Sequence, residues 1–416
     1  MDLLPALGAA TLCNFLELNG VSVELSIIIP CLNEAETLAG CIRQAQTFLA
    51  QSGVSGEVVV GDNGSTDGSQ EIARSYGARV AVIATRGYGA AIYGAVLQAS
   101  GKFCVMGDAD GSYDFSALTP FIVQLRQGAD LVMGNRFAGG IEAGAMPWKN
   151  RHIGNPVLSG LGRLLFRTQV RDFHCGLRAF SRAAFLRMDL RTTGMEFASE
   201  MVIKARLLHM NIAEVPTTLS KDGRSRPPHL RPFRDGWRHL RFMLLFSPNW
   251  LFLYPGLLLM SLGVGVGGAL IANPLSLAGV HLGLGTLVYC VAMVEVGFQA
   301  ILFAVLSRTY AVQERLVPQS LRMRMVERAA TLENGIALGG VLLLIGGALL
   351  ADAIWIWSRA QFGNLSVDQI VRIVIGSSLS LSLGFEVLFS SFLLSILRLS
   401  VRTLPDAPPL QHPPSL

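Results

Sequence analysis

Lys102-Phe-Cys-Val-Met-Gly-Asp108-Ala-Asp110-Gly-Ser-Tyr-Asp114 is an apolar run that stops at two carboxylates separated by one residue. Such a run reads as a strand buried on both faces, the pattern of a parallel sheet. The carboxyl ends of these strands form the rim where open α/β folds bind ligands. Side chains two apart on an extended chain share a side and lie about 6.5 Å from each other. Asp108 and Asp110 can therefore flank one hard divalent cation and a diphosphate that it bridges. Two carboxylates this close repel unless a cation lies between them, which weighs against a plain solvated turn.

Working outward, Leu25-Ser-Ile-Ile-Ile29, Glu57-Val-Val-Val60, Arg79-Val-Ala-Val-Ile83, Phe103-Cys-Val-Met106 and Asp130-Leu-Val-Met133 are further β-branched or apolar runs. The spans between them are long enough for crossover helices, which predicts a doubly wound α/β domain over residues 24–232. Residues 1–23 lack a basic start and contain Asn14 and Glu17, so they read as an extension and not a signal peptide.

Past Ser247 the composition changes. The 416 residues are 51% hydrophobic and the mean hydropathy is +0.46, high for a purely soluble chain. Trp250 to Ile271, Val280 to Leu306, Ile336 to Trp357 and Ile370 to Leu397 each reach the roughly 20 residues needed to cross a bilayer, predicting a four-helix transmembrane region over residues 250–400. Arg308, Arg315, Arg322, Arg324 and Arg328 crowd the loop after the second stretch, and Arg398 and Arg402 follow the fourth. The positive-inside rule then puts the α/β domain, the middle loop and the C-terminus in the cytoplasm, in an integral, multi-pass membrane protein. The surplus of five positive charges is accordingly assigned to loops facing anionic headgroups, with the bilayer and not nucleic acid as partner.

Residues 233–249 join the halves. Trp237, Leu240 and Leu244 recur at helical spacing with Arg234, Arg238 and Arg241 on another side, either a helix in the headgroup layer or the cytosolic end of the first membrane helix. Residues 401–416 are Pro-rich and read as a disordered tail. Cys13, Cys31, Cys41, Cys104, Cys175 and Cys290 show no metal-finger spacing and read as reduced thiols. Glu295, Asp352 and Glu386 fall inside membrane stretches, where a neutral carboxyl bonded to another helix is expected.

Ile29-Pro30-Cys31-Leu32-Asn33-Glu34, then Val60-Gly61-Asp62-Asn63-Gly64-Ser65-Thr66-Asp67-Gly68-Ser69, then Asp108-Ala109-Asp110 follow one another at strand ends. In this order and spacing they resemble the family 2 glycosyltransferases of GT-A fold, particularly the polyprenyl-phosphate sugar synthases similar to dolichol-phosphate mannosyltransferase. The resemblance covers about residues 24–247. It implies a metal-dependent, inverting transfer of a hexose from a nucleotide diphosphate sugar to a polyprenyl phosphate, of undecaprenyl or dolichyl type, at the cytoplasmic membrane face.

Residue by residue, the resemblance places Pro30, Asn33, Glu34, Asp62, Arg86, Gly87, Asp108, Ala109 and Asp110 around the nucleotide sugar, with Asp110 and Asp108 on the metal, Mg2+ or Mn2+. Asp67 reads as a turn-building residue, and Ser65 or Asp67 as a helix cap. Glu34 has the alternative of lying at a helix N-terminus, and the Arg86–Ala91 glycine cluster that of tight helix packing. Arg136, Arg151, Asn155 and Arg178 are implied to meet the acceptor phosphate, since a guanidinium pairs bidentately with phosphate oxygens; Asp172 and Arg178 either shape that site or form a salt bridge. His174 reads as a turn histidine, with no second histidine at metal spacing.

Glu196 and Glu200 share a helix face. Relatives that glycosylate hydroxyls keep a base on the corresponding helix, but a phosphate acceptor is already anionic, so Glu200 is assigned to positioning. Lys221, Arg224 and Arg226 lie in a basic segment running to Arg231 that either closes over the leaving diphosphate or is drawn to anionic lipid. Asp110, Asp108, Arg136 and Glu200 form the catalytic set. One alternative is transfer to a lipid or polysaccharide hydroxyl with Glu200 as base; another is a non-catalytic membrane scaffold or flippase-like partner. A homo-oligomer is also open.

Overall fold

In a computed structural model, residues 23–225, 232–272, 275–277, 280–314, 316–363 and 367–399 are described. The chain divides after Ser247 into two compact units.

The first unit is built on a seven-stranded sheet: β1 Leu25–Cys31, β2 Gly56–Asp62, β3 Arg79–Val82, β4 Phe103–Met106, β5 Leu131–Asn135, β6 Arg178–Ser181 and β7 Ile212–Pro216, in the order β3-β2-β1-β4-β6-β5-β7. All pairings are parallel except those of β6, which runs antiparallel to both β4 and β5. The five strands expected from sequence are present, and β6 and β7 are additional. Successive residues of β1 face opposite sides, as the two-residue repeat demands. Ile27 and Ile29 join Val58 and Val60 in one core with Leu38, Ile42 and Phe48 of α1 (Leu38–Ser52). Ile28 and Val59 join the other core, with Ile92 and Val96 of α3 (Tyr88–Gln98), α2 being Ser69–Ser75.

The chain leaves β1 for β2 on one side and reaches β4 on the other. The carboxyl edge of β1 and β4 is thus the point where strand order reverses, the place where open α/β sheets bind ligands.

Helix α4 is Thr119–Arg126 and the single turn α5 is Arg136–Gly139; a π-turn at Asn150–Gly154 leads into α6 (Asn155–Phe166), followed by α7 (Arg182–Met188) and α8 (Phe197–Leu207). Helix α8 is buried on every side from Phe197 through Ala205. The amphipathic segment forms α9 (Pro232–Leu245). Its Met243 is fully buried in the second core, whereas Trp237 is 57% exposed and Leu245 60%. This helix therefore packs on the α/β unit through one face and shows arginine and tryptophan on the other.

In the second unit a π-turn at Asn249–Leu253 leads into α10 (Tyr254–Ala272), and α11 (Leu284–Gln313), α12 (Leu321–Ala329), α13 (Leu332–Arg359) and α14 (Val367–Leu397) follow. A two-stranded hairpin, β8 Leu275–Leu277 and β9 Val280–Leu282, joins α10 to α11. Asn249–Ile271, Leu284–Gln313, Leu332–Arg359 and Ile370–Leu397 are long and apolar enough to cross a membrane, matching the four expected stretches. Glycines set the helix contacts: a Cβ on Gly256 would meet the Gly297 carbonyl oxygen at 2.8 Å, and one on Gly339 the Gly384 carbonyl oxygen at 2.9 Å. Small residues at such crossings let backbones approach where lipid offers no hydrophobic drive. Glu386 departs from expectation, since its buried Oε2 has no hydrogen-bond partner among the described residues. Asp352 is exposed and Glu295 half-buried.

Candidate active site

The rim at β1 and β2 is stitched by its own polar side chains. Asn33, in the left-handed region at φ 59°, accepts from the Thr66 amide at 2.8 Å, and its own amide donates to Ser65 Oγ at 2.9 Å. Asp67 accepts from the Ala35 amide at 3.0 Å and the Ser69 amide at 3.1 Å. Those bonds make Asp67 the turn builder expected of it, although no side chain caps α2, whose N-cap is Gly68.

Asp62 is fully buried and accepts from the amides of Gly64 at 3.0 Å and Ser65 at 3.2 Å and from Gln70 Nε2 at 2.7 Å. Asn63 donates to the carbonyls of Ile83 at 3.1 Å and Thr85 at 2.7 Å and accepts from the Gly87 amide at 2.6 Å. It ties this turn to the glycine cluster. Gly87 has φ 135°, and a side chain there would run into the Thr193 carbonyl, so glycine is required at the start of α3. Arg86 stands exposed beside it.

At the end of β4, Asp108 Oδ1 accepts from the Tyr88 hydroxyl at 2.9 Å. A Cβ at Gly176 would meet Asp108 Oδ2, so only glycine leaves room for the carboxylate. Burial, and after it the charge of Asp110, pushes the Asp108 pKa from an ordinary 3.8 up to about 6. The carbonyl of Ala109 accepts from Thr37 Oγ1 at 2.6 Å, which fixes the peptide between the two aspartates. Asp110 Oδ1 accepts from the Ser112 amide at 2.9 Å.

Asp110 Oδ2 lies 3.1 Å from Arg224 NH2, and the same guanidinium reaches Glu34 Oε1 at 3.0 Å and Asp222 Oδ2 at 2.5 Å. The strand-like strap carrying Arg224 is held down by Ser220 N to Ser112 O and Gly223 N to Asp110 O, both 2.9 Å, and by Ser225 N to Glu36 Oε2 at 2.7 Å. Burial acts to lower the Arg224 pKa, but Asp222, Asp110 and Glu34 outweigh it and the net shift is upward. A cation thus already sits between the rim carboxylates. The donors are all oxygens, which fits a hard divalent ion such as Mg2+ or Mn2+ and not a soft one. No cluster of three or more His, Cys, Asp or Glu side chains poised for a metal occurs among the described residues. A site built here offers one or two carboxylates, the usual protein share where substrate phosphates supply the remaining oxygens. Lys221 is exposed near the same strap, and Arg226 lies outside the described residues.

The upward shift of Asp108 carries a stability consequence. Between about pH 4 and pH 6 the unfolded chain has released this proton and the folded one holds it, so stability falls as pH rises through that window. Replacing Asp108 with Asn keeps an acceptor for Tyr88 and removes the buried charge. At neutral pH this variant should be more stable than the wild type by on the order of 1–3 kcal/mol, discounted for the half-buried position, with the gain vanishing below about pH 4. Thermal unfolding of both proteins across that range checks it; a variant less stable at neutral pH would be the contrary result.

The residues implied for the acceptor divide into two groups. Arg151 is exposed and Asn155 half-buried, on a segment that also exposes Trp148, Ile153 and Val157. Arg136 is instead buried and paired bidentately with Asp172, Nε to Oδ2 at 2.7 Å and NH2 to Oδ1 at 2.8 Å. Of the two readings of Asp172 and Arg178, shaping the acceptor site or pairing with each other, the second does not hold, because the partner of Asp172 is Arg136. Arg178 is fully buried and donates to the carbonyls of Cys175 at 3.0 Å, Ala198 at 2.7 Å and Phe173 at 3.4 Å. Its charge nonetheless acts on the rim, pulling the Asp108 pKa back down against burial and Asp110.

Glu200 is fully buried. Lys204 Nζ lies 3.0 Å away, and Glu200 accepts from the Arg191 amide at 3.0 Å, the Thr192 amide at 2.9 Å and Thr192 Oγ1 at 2.7 Å. Arg136, Arg178 and Glu200 are all spent on internal contacts. Physically, each is an ion or donor set too costly to bury without partners, so the fold supplies them. Ser199 Oγ lies 2.9 Å from His239 Nδ1 and 3.4 Å from His174 Nε2, and burial together with His239 holds His174 well below its ordinary pKa. It packs edge-on against the His239 ring, and its buried Nδ1 has no hydrogen-bond partner among the described residues, so it is not the satisfied turn histidine expected. Cys31, Cys41, Cys104, Cys175 and Cys290 are buried and form no disulfide; Cys13 lies outside the described residues.

Sequence reasoning missed Tyr88, Thr37, Gly176 and Asp222. Tyr88 lay inside the quoted Arg86–Ala91 stretch, and a polar residue opening an otherwise small-residue helix was the available signal. Asp222 offered only its place beside Arg224.

Comparison with known proteins follows the same division. Residues 26–188 match the Glycosyl transferase family 2 model, and residues 305–398 match the Glycosyltransferase family 2 C-terminal transmembrane region. The low-salt glycan biosynthesis hexosyltransferase Agl6 of Haloferax volcanii is 37% identical over 391 residues, 91% of this chain and 90% of that protein. A dolichyl-phosphate hexose transferase of the same organism is 31% identical over 214 residues, 51% of this chain and 89% of that protein. Among solved structures, glucosyl-3-phosphoglycerate synthase from Mycobacterium tuberculosis with Mn2+, uridine diphosphate and glucosyl-3-phosphoglycerate aligns at a TM-score of 0.42 and 21% identity, over 59% of this chain and 86% of that one. With both family regions matched and a relative aligned along nearly its whole length, the chain belongs to glycosyltransferase family 2 and is a membrane enzyme of that family.

Proposed function

We propose that this enzyme transfers a hexose from a nucleotide diphosphate sugar to a polyprenyl phosphate, with inversion, at the cytoplasmic face of the membrane. The observation that carries the reading is the Asp110–Arg224–Glu34 cluster at the β1/β4 switch point, where carboxylates are already gathered around a cation. The relative named as a dolichyl-phosphate hexose transferase and the exposed Trp148, Ile153 and Val157 beside Arg151 support a lipid acceptor.

Asp110, with Asp108 beside it, would hold a divalent ion, which when bound offsets charge on the diphosphate. Asn33 and the close backbone at Gly87 line the donor's nucleotide end, while Asp62, expected to meet the nucleotide, is fully buried and instead holds the Gly64–Ser65 turn in shape. Arg224, on a strap pinned by its backbone to Ser112 and Asp110, exchanges its carboxylate partners for phosphate oxygens by side-chain movement as the donor arrives, with Lys221 on the same segment. An oxygen of the lipid phosphate attacks the anomeric carbon, and the bond from that carbon to the diphosphate oxygen breaks. The electron pair leaves on the diphosphate, and no proton needs removal from the acceptor. Arg151 and Asn155 meet the acceptor phosphate, and Arg136, through Asp172, keeps the end of β5 in place beneath it. Glu200 has no open face from which to act as a base, so transfer to a hydroxyl has no observation in its favour.

The test uses purified full-length protein with a panel of nucleotide sugars, offered either polyprenyl phosphate or the corresponding polyprenol, with the lipid product weighed by mass spectrometry. A hexosyl phosphate lipid should form, the free alcohol should not react, and Glu200→Gln, where it folds, should retain the activity within about tenfold. Product from the alcohol, lost in Glu200→Gln, would overturn the proposal.

A further inference from the structure

In the second unit, a cavity of about 550 Å³ is lined by the ends of α11 and α14 and by α12. Its lining includes Thr309 and Gln313 from α11, Arg324, Glu327 and Arg328 from α12, and Arg398 just past α14. Three arginines face one glutamate, whose Oε2 is engaged by Gln319 Nε2 at 2.8 Å.

Arg398 is used by halves. Its NH1 donates to the carbonyls of Ala330 at 2.8 Å and Glu327 at 3.1 Å, capping the end of α12. Its Nε and NH2 are buried and have no hydrogen-bond partner among the described residues. Those two groups share one edge of the guanidinium, the edge that grips two oxygens of a phosphate or carboxylate side by side. The Thr309 hydroxyl is also buried and without a partner among the described residues. Thr309 is 5% exposed, and a threonine inside a helix ordinarily bonds a carbonyl one turn back. Buried donors left unmade are costly, so this set is built for an oxygen-rich ligand. Both long helices leave their apolar spans here, the depth at which headgroups lie.

We infer that this cavity binds the phosphate of a lipid headgroup, with Arg398 gripping the phosphate through its free edge, Thr309 donating a third hydrogen bond, and Arg324 and Arg328 supplying field at the mouth. The site is independent of the rim carboxylates, so it stands or falls apart from the transfer reaction.

Native mass spectrometry of the full-length protein counts bound lipid directly. Phosphatidylglycerol, polyprenyl monophosphate, uncharged diacylglycerol and inorganic phosphate are titrated separately. The expected result is retention of phosphatidylglycerol and not of diacylglycerol, with apparent affinity about tenfold weaker in Arg398→Gln and in Arg398→Lys, which keeps charge but loses the fork, while polyprenyl monophosphate, which the proposed acceptor site also takes, keeps one bound copy in these variants. Arg324 is exposed, so Arg324→Gln leaves the fold intact and should weaken binding roughly threefold. Thr309→Val carries the test if Arg398 variants fail to fold. Equal lipid retention by wild type, Arg324→Gln and Thr309→Val would overturn the proposal, and inorganic phosphate displacing both lipids at equal concentration would overturn its lipid part.

Discussion

Replacing Asp110 with Asn should reduce sugar transfer by roughly a thousandfold or more, about 4 kcal/mol of lost transition-state stabilisation, while leaving the fold unchanged. The asymmetry follows from what Asp110 touches. Its structural bond is to the Ser112 amide at 2.9 Å, and asparagine keeps an acceptor there. Its other oxygen faces Arg224, a contact that the proposed reaction gives up when the donor arrives. Asparagine retains the shape but not the charge, and a neutral amide is a poor ligand for a hard divalent ion compared with a carboxylate. Turnover of the purified variant, beside its unfolding midpoint, separates the two effects. Undiminished turnover would remove Asp110 from the chemistry, whereas loss of both activity and fold would show that the aspartate is a structural residue.

Replacing Asp172 with Ala should act in the opposite sense, on the fold first. Asp172 is fully buried, and its carboxylate takes both arms of Arg136 and the Arg136 amide at 3.0 Å. Removing one partner of a buried pair leaves an uncompensated charge, which typically costs about 3–5 kcal/mol. For a unit of this size that corresponds to a midpoint lowered by roughly 6–20 °C. The double change Arg136→Met with Asp172→Leu removes both charges and should recover most of the loss. If that stable double variant also transfers sugar at the wild-type rate, Arg136 has no part in placing the acceptor. If it folds but transfers poorly with a raised requirement for lipid phosphate, the pair positions the acceptor side of the cleft.

The contrast between these two aspartates shows where the sequence was readable. Asp108 and Asp110 were legible because their neighbours announce a buried parallel strand, and a carboxylate pair after such a strand has few structural uses. The first five strands were readable for the same reason, each being an uninterrupted apolar or β-branched run. Strands β6 and β7 were not. Arg178-Ala-Phe-Ser181 is four residues long and begins with a cation, and Ile212-Ala-Glu-Val-Pro216 is a half-buried edge strand ending in proline. The four helices long and apolar enough to cross a membrane were legible from length and hydropathy alone.

Partner choice was the part that sequence hid. Asp172 finds Arg136, 36 residues away, through a sheet order that brings β5 beside β6, and no local spacing signals it. Glu200 was assigned to positioning, with the base role that the family resemblance implied as the alternative, but α8 is buried on every side, so the carboxylate is sealed by Lys204 and the amides of Arg191 and Thr192. The Arg224 bridge was closest to visible: the basic segment was recognised, while its resting partners Asp110, Glu34 and Asp222 depend on a strap folded across the sheet edge.

Calorimetric titration of the purified full-length protein with uridine and guanosine diphosphates, with and without Mn2+, tests most directly whether the rim carboxylates bind diphosphate through a cation. The expected result is binding of one of the two nucleotides strengthened at least about tenfold by Mn2+, about 1.4 kcal/mol, with that gain absent in Asp110→Asn. Equal affinity with and without the metal, or a metal-dependent gain that survives in Asp110→Asn, would contradict it.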